Sequence, residues 1–272
     1  MYIEFFGLKE LPFNITSDPS FLFLSKKHQE ALAHLSYGIK ERKGFIEITG
    51  EIGTGKTTLC RALLNSLGER VKTAYLLNSN ITSDMQLLHT IVDDLNIKPA
   101  GKNKMALLKA LNDFLLMQSS NGNNVVLIID EAQNLKPKVL EQIRMLSNLE
   151  TDKEKLLQII LVGQPELREI LRSHELRQLN QRVAVRYHIC PLDREETEHY
   201  INHRLSVAGA NGNLTIFKEA IDEIYNFSNG IPRLINIISD KALLLGFVME
   251  TRNITDEIVK KSVEELEIVQ AV

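Results

Sequence analysis

The sequence predicts an α/β domain on a parallel sheet, followed by a small all-helical domain. Three observations predict it. Short, almost wholly apolar runs alternate with helical stripes up to about residue 190. A glycine-rich turn ending in Gly-Lys-Thr follows the first apolar run and opens a helix. Beyond residue 190 the stripes continue and no convincing strand appears.

The apolar runs are 44–49 (GFIEIT), 72–77 (KTAYLL), 125–129 (VVLII) and 156–162 (LLQIILV). Their length and near-continuous apolarity suit strands buried on both faces, as in a parallel sheet. Leu59, Leu63 and Leu67 recur at helical spacing, with Gly68 as a stop. Leu87, Leu88, Ile91, Val92 and Leu95 form a second stripe, opened by Ser83 with Gln86 three residues on, the pattern of a capping box. Leu107, Leu108, Leu111, Phe114 and Leu115 form a third.

In the second domain Pro191 breaks the chain, and Asp193 with Glu196 predicts a helix start. Tyr200, Ile201, Leu205 and Ala208 share one face of that helix. Further helices are expected from about Thr215, from Pro232 and from about Thr255, joined by short Asn- and Gly-bearing loops.

Composition bounds the function. A charged fraction of 25% and a hydrophobic fraction of 44% are ordinary for a globular chain, which excludes disorder along its length. The apolar stretches fall far short of the ~20 residues that span a bilayer, and no secretory signal is read at the start. A net charge of -3 gives the whole molecule no attraction to nucleic acid, leaving only a local basic patch for that purpose. Cys60 and Cys190 have no metal-ligand spacing; Cys60 falls in an apolar stripe and is expected in the core. A reducing cytosol is the expected compartment.

Residues 50–57, GEIGTGKT, match G-x-x-x-x-G-K-[ST]. The glycines let successive backbone N–H groups point at phosphate oxygens, and the following helix adds its positive end. Gly50, Glu51, Ile52, Gly53, Thr54, Gly55, Lys56, Thr57 and Thr58 are the candidate phosphate-binding residues. Lys56 is expected on the β- and γ-phosphates and the Thr57 hydroxyl on Mg²⁺. At ordinary glycine usage the pattern arises by chance in about 1% of chains this long. Its position between a strand and a helix lowers that further.

The run VVLIIDE ends in Asp130 and Glu131. Two carboxylates at the end of a buried strand are costly without a partner, and a nucleotide-bound magnesium supplies one. Asp130 is read as the metal residue and Glu131 as the group polarising the water that attacks the γ-phosphate. Gln164, after the fourth run, reads as a γ-phosphate sensor or as a polar loop residue. Asn78, after the second, reads as a holder of Glu131 or as a cap. Arg168, Arg172, Arg177, Arg182 and Arg186 crowd the end of the first domain, a run that reads chiefly as a solvated face. Arg182 is the chosen arginine finger, acting on a neighbouring subunit's nucleotide. Arg233, in GIPR, reads as a lid residue reporting nucleotide state, or as a surface ion pair.

Together these features resemble the AAA+ ATPases. FFGLKELPFNITSDPSFLFLSKKHQEALAHLSYGIKERKGFIEITGEIGTGKTTLCRALL, IIDEAQNL, LLQIILVGQPELREIL, LRQLNQRVAVRYHICPL and SNGIPRLIN are similar to the ExeA, or general secretion pathway protein A, family, in order along the chain. The resemblance implies a P-loop NTPase αβα sandwich with a five-stranded sheet over 44–190, its fifth strand near 186–189, and a helical lid over 191–272. It implies that 1–43 packs near the nucleotide base. It also implies ATP and Mg²⁺, a ring or filament of subunits sharing sites, and a partner in a secretion or pilus apparatus at the cytoplasmic face of the inner membrane. A membrane helix and a peptidoglycan-binding region often follow in that family, so this chain is read as a shorter relative or an excised ATPase domain. Two alternatives stay open: a DNA-binding, transposition-associated AAA+ ATPase, and a nucleotide-dependent switch or scaffold with little turnover.

Overall fold

The computed structural model describes residues 2–15, 18–77, 81–151 and 154–270. They form two compact units: Lys27–Gly50 with Leu59–Ile189, and Met1–Lys26 with Glu51–Thr58 and Cys190–Val272.

The first unit is built on five parallel strands, β1 Phe45–Gly50, β2 Val71–Leu76, β3 Asn124–Ile129, β4 Gln158–Gly163 and β5 Val183–Ile189, in the order β2-β3-β4-β1-β5. Side chains alternate across a strand, so each central strand feeds two cores. Val125, Leu127, Ile129, Ile159 and Leu161 face one, where helices Asp84–Asp94, Lys104–Ser120 and Pro137–Leu146 contribute Leu87, Ile91, Leu111 and Ile143. Val126, Ile128, Ile160 and Val162 face the other, against Ala31 and Leu35 of helix Lys26–Lys40 and against Leu59, Cys60 and Leu63 of helix Lys56–Ser66. This is the expected three-layer α/β sandwich, with Cys60 in its core.

Of the two capping boxes read from the sequence, one differs in its partner. Ser83 accepts a hydrogen bond from Gln86 N at 3.3 Å, but the Gln86 side chain accepts from Thr82 N, one residue before the expected box partner. Asp193 and Glu196 make the full reciprocal box at the start of helix Arg194–Val207.

The second unit packs helices Arg194–Val207, Lys218–Ser228, Pro232–Val248 and Asp256–Gln270 around Ile201, Ile224, Ile238, Leu243 and Val259. The expectation of no strand here is corrected. Thr215–Ile216 and Asn253–Ile254 pair as a short parallel ribbon, and the neighbouring helix begins at Lys218 rather than Thr215. Two residues per strand are too few to carry a period-2 signal.

The N-terminal segment, read as one piece over 1–43, is divided by the packing. Tyr2, Phe6, Leu8, Phe13 and Phe21 enter the core of the helical unit, whereas Ala31, Leu35 and Ile39 belong to the sheet unit. Arg204 fastens the first part. Its guanidinium is buried and donates to the carbonyls of Pro12 and Asn14 and to the Tyr200 hydroxyl, with its carbon 4.7 Å from the Phe21 ring centre.

Candidate nucleotide site

The glycine-rich loop leaves the end of β1, the inner strand between β4 and β5. Gly53 and Gly55 hold φ of +83° and +92°, a region that side-chain-bearing residues rarely occupy. Thr54, 1% exposed, donates through its hydroxyl to Glu51 O at 2.8 Å, and the Lys56 ammonium donates to the same carbonyl at 2.8 Å. The loop is therefore wrapped around its own carbonyl, with Lys56 buried inside it and Ile52 well exposed. Helix Lys56–Ser66 begins at the lysine, so Thr57 and Thr58 lie in its first turn.

Arg233 stands in the first turn of helix Pro232–Val248, and its backbone N–H donates to Gly53 O at 3.3 Å. A Cβ on Gly53 would come within 2.6 Å of Arg233 Cβ and 3.2 Å of Ile231 Cγ2. Gly53 is thus needed twice, for its backbone angle and for the approach of this helix. The sequence motif announced only the first need.

The acidic pair sits at the end of β3. Asp130 is 1% exposed; its Oδ1 accepts from Glu131 N at 2.9 Å and its Oδ2 from the Tyr75 hydroxyl at 3.0 Å. Tyr75 is on β2, the neighbour of β3, and burial with the adjacent Asp130 charge pushes its phenol well above the usual range. Glu131 has φ +53°, a left-handed conformation that costs a non-glycine residue about 1–2 kcal/mol and turns the chain sharply out of the strand.

Gln164 follows β4, and its side-chain amide donates to Glu131 Oε2 at 3.1 Å. The two predicted residues are thereby brought together. Gln133, which the sequence reading passed over, donates to the same oxygen at 2.5 Å. A clue was present in the two-residue spacing from Glu131, but nothing local distinguishes this amide from any surface glutamine. Asn78 lies outside the described residues.

Arg182 ends helix Arg177–Arg182 and donates to Ser147 Oγ at 2.8 Å and Asn148 Oδ1 at 2.6 Å. Two other arginines of the run are also engaged: Arg168 and Arg186 flank Glu47, a β1 carboxylate 1% exposed, at 3.3 and 3.4 Å.

For a magnesium ion, the donor chemistry fits. No cluster of three or more His, Cys, Asp or Glu side chains able to cage a metal occurs among the described residues. A magnesium arriving on a nucleotide needs no cage, since phosphates and waters fill most of its octahedron and one carboxylate with one hydroxyl suffices.

A parallel sheet of this order, a glycine-lysine-threonine loop after its inner strand β1 and an acid pair after β3 define an AAA+ P-loop ATPase. Residues 39–171 match the family described as AAA domain. Over 257 residues the chain is 46% identical to general secretion pathway protein A of Aeromonas hydrophila, covering 93% of this chain and 46% of that protein. The chain is an AAA+ ATPase similar to that protein along most of its own length, and spans a little under half the length of this relative. The fold is also that of Aeropyrum pernix ORC2 (TM-score 0.70, 18% identity, 94% of this chain and 71% of that one). It is likewise shared with the Drosophila ORC bound to DNA (TM-score 0.69, 16%, 96% and 66%). The Thermotoga maritima RuvB Holliday junction branch migration motor is similar too (TM-score 0.58, 19%, 90% and 70%).

Proposed function

We propose that the chain hydrolyses ATP to ADP and phosphate and uses its nucleotide state to drive subunit assembly and lid motion in the service of a bacterial secretion or pilus apparatus. The observation that carries the reading is the Glu131–Gln164 hydrogen bond, which joins a carboxylate able to polarise water to an amide able to sense a γ-phosphate. The backbone N–H groups of 50–58 and the Lys56 ammonium hold the phosphates, with Lys56 exchanging its carbonyl partner for phosphate oxygen. Thr57 and Asp130 are the residues that would hold a magnesium ion, which would supply positive charge to offset that developing on the phosphates. Glu131 orients a water and accepts its proton as the water oxygen bonds to the γ-phosphorus. The bond to the bridging oxygen breaks, and ADP leaves with that oxygen.

Arg233 couples the helical unit to the loop through Gly53, and Arg182 acts on a neighbouring subunit's nucleotide after giving up Ser147 and Asn148. The adenine is proposed to lie near part of the segment 1–43. No helix among the described residues is long and apolar enough to cross a membrane, so attachment to the inner membrane would be peripheral or through sequence outside this chain. The internal partners of Arg168, Arg182 and Arg186 weigh against a DNA channel built from that run.

The test is steady-state ATP turnover against protein concentration for the native chain, Glu131→Gln and Arg182→Ala. Specific activity that rises with concentration and is lost in both variants supports shared sites. Turnover unaffected by Glu131→Gln overturns the catalytic assignment. Activity untouched by Arg182→Ala removes Arg182 as the finger.

A further inference from the structure

The Gln133 amide is used at both ends. Its Nε2 donates to Glu131 Oε2 at 2.5 Å, and its Oε1 accepts the backbone N–H of Gln164 at 3.1 Å. Gln164 closes the loop by donating from its own side chain to Glu131 Oε2 at 3.1 Å. Three residues from two strand ends thus form one hydrogen-bonded ring, although only two of them belong to recognised positions of the site.

Two features indicate that the ring is built rather than incidental. Gln133 lies in the 3₁₀ turn Ala132–Asn134, entered through the left-handed Glu131, and this turn carries its side chain back toward β4. At the end of β4 stands Gly163, where a Cβ would fall 2.7 Å from Gln133 Oε1 and 2.9 Å from Leu167 Cδ2. A glycine there leaves the space the amide occupies.

We infer that Gln133 is a positioning residue that ties the water-polarising carboxylate to the γ-phosphate-sensing loop, so that Glu131 and Gln164 move as one. This rests on the proposed hydrolysis at Glu131. When the Gln164 side chain turns to a γ-phosphate, Glu131 Oε2 loses one donor. Gln133 then keeps the carboxylate from swinging away, and through the Gln164 N–H keeps the sensor backbone in register with it. With ADP the Gln164 amide returns to Glu131 and the ring closes. Two amide donors on one carboxylate oxygen hold its direction far more firmly than one.

The decisive variant is Gln133→Leu, which keeps volume and removes both hydrogen bonds. In the free chain, amide hydrogen exchange at Gln164 should accelerate about fivefold or more, with the melting temperature of the chain preserved. The kcat for ATP should fall about 10-fold or more while the dissociation constants of ATP and ADP change less than threefold, a split that general unfolding would not give. Gly163→Ala, which displaces the Gln133 amide from the other side, should reproduce the kcat effect in part.

Unchanged Gln164 exchange or an unchanged kcat would each overturn the inference. A Glu131→Gln control separates the two readings. If it is inactive while Gln133→Leu is fully active, only the role of Gln133 fails. If Glu131→Gln is itself active, the hydrolytic assignment fails with it.

Discussion

Replacing Arg204 by methionine should release the N-terminal segment from the helical unit. Methionine preserves most of the apolar stem and removes the guanidinium, so the comparison isolates the polar head. Arg204 is 6% exposed, and its head makes three hydrogen bonds: to Pro12 O, to Asn14 O at 2.9 Å and to Tyr200 Oη at 3.0 Å. A hydrogen bond from a charged donor contributes about 1.5–3 kcal/mol net. The stack on Phe21 at 4.7 Å adds about 0.5–1 kcal/mol. These net figures already include desolvation, and bonds from one cation are not additive, so the loss is at least about 3–4 kcal/mol, concentrated where Pro12 and Asn14 meet the helix. The Tyr200–Asn236 hydrogen bond of 2.9 Å should survive, since the phenol donates there and only accepted from Arg204. Hydrogen exchange is the suitable assay because the two units need not unfold together. Residues 2–15 should exchange at least about 100-fold faster in the variant, and helix Arg194–Val207 should lose less protection than they do. A loss below about 1 kcal/mol, with protection at 2–15 unchanged, would refute the claim that this one cation fastens the segment.

Tyr75→Phe removes one hydrogen bond from Asp130 and leaves the packing intact. About 1 kcal/mol of lost orientation should raise the magnesium concentration needed for half-maximal nucleotide binding about fivefold, read by titrating Mg²⁺ against a fluorescent ATP analogue. Gly230→Ala places a Cβ 1.8 Å from Leu192 O at φ +73° and disrupts the Leu192 N–Gly230 O bond of 2.9 Å; a loss of at least about 3 kcal/mol is expected by denaturant titration of the helical unit. Glu47→Leu removes the buried carboxylate that holds Arg168 and Arg186, both about a third exposed and free to turn to solvent. Its cost should stay near 1–2 kcal/mol, well below the 3–5 kcal/mol typical when a charge is left buried and unpaired; thermal melts of the variant decide.

The parts legible in the sequence were those whose signal is local. Ile128, Ile160 and their neighbours form unbroken apolar runs because both faces of the central strands are covered, and continuity alone identifies such strands. β5 could not be read this way. Its residues VAVRYHI are mixed because it is an edge strand, with Arg186 and Tyr187 turned to partly open surroundings. Its placement came from family likeness. The glycine-lysine-threonine loop and the acid pair were legible as motifs because their spacing is set by backbone geometry. Gln133 and Tyr75 were not, because each meets its partner across strands or turns whose adjacency is fixed only by the sheet order. The packing of Phe6, Phe13 and Asn14 with helices beyond residue 190 is a contact at a sequence separation of about 190 residues, for which no local pattern exists.

Sheet order also explains why the acid pair has the surroundings it does. β3 lies between β2 and β4, so a residue leaving its end is flanked by the two neighbouring strands. β2 contributes the Tyr75 hydroxyl to Asp130 on one side, and β4 contributes Gln164 to Glu131 on the other. The sharp left-handed turn at Glu131 keeps these roles apart. Asp130 remains in line with the strand and is nearly enclosed, whereas Glu131 is turned toward the β4 side and its two amides. Each acid therefore has a different set of donors although the two are adjacent in sequence. A carboxylate fixed by a phenol and a main-chain N–H is held in position, which suits the metal role proposed for Asp130. One tethered by side-chain amides can change its direction, which suits the γ-phosphate-responsive role proposed for Glu131. The division of labour proposed for the pair follows from which neighbouring strand each one meets.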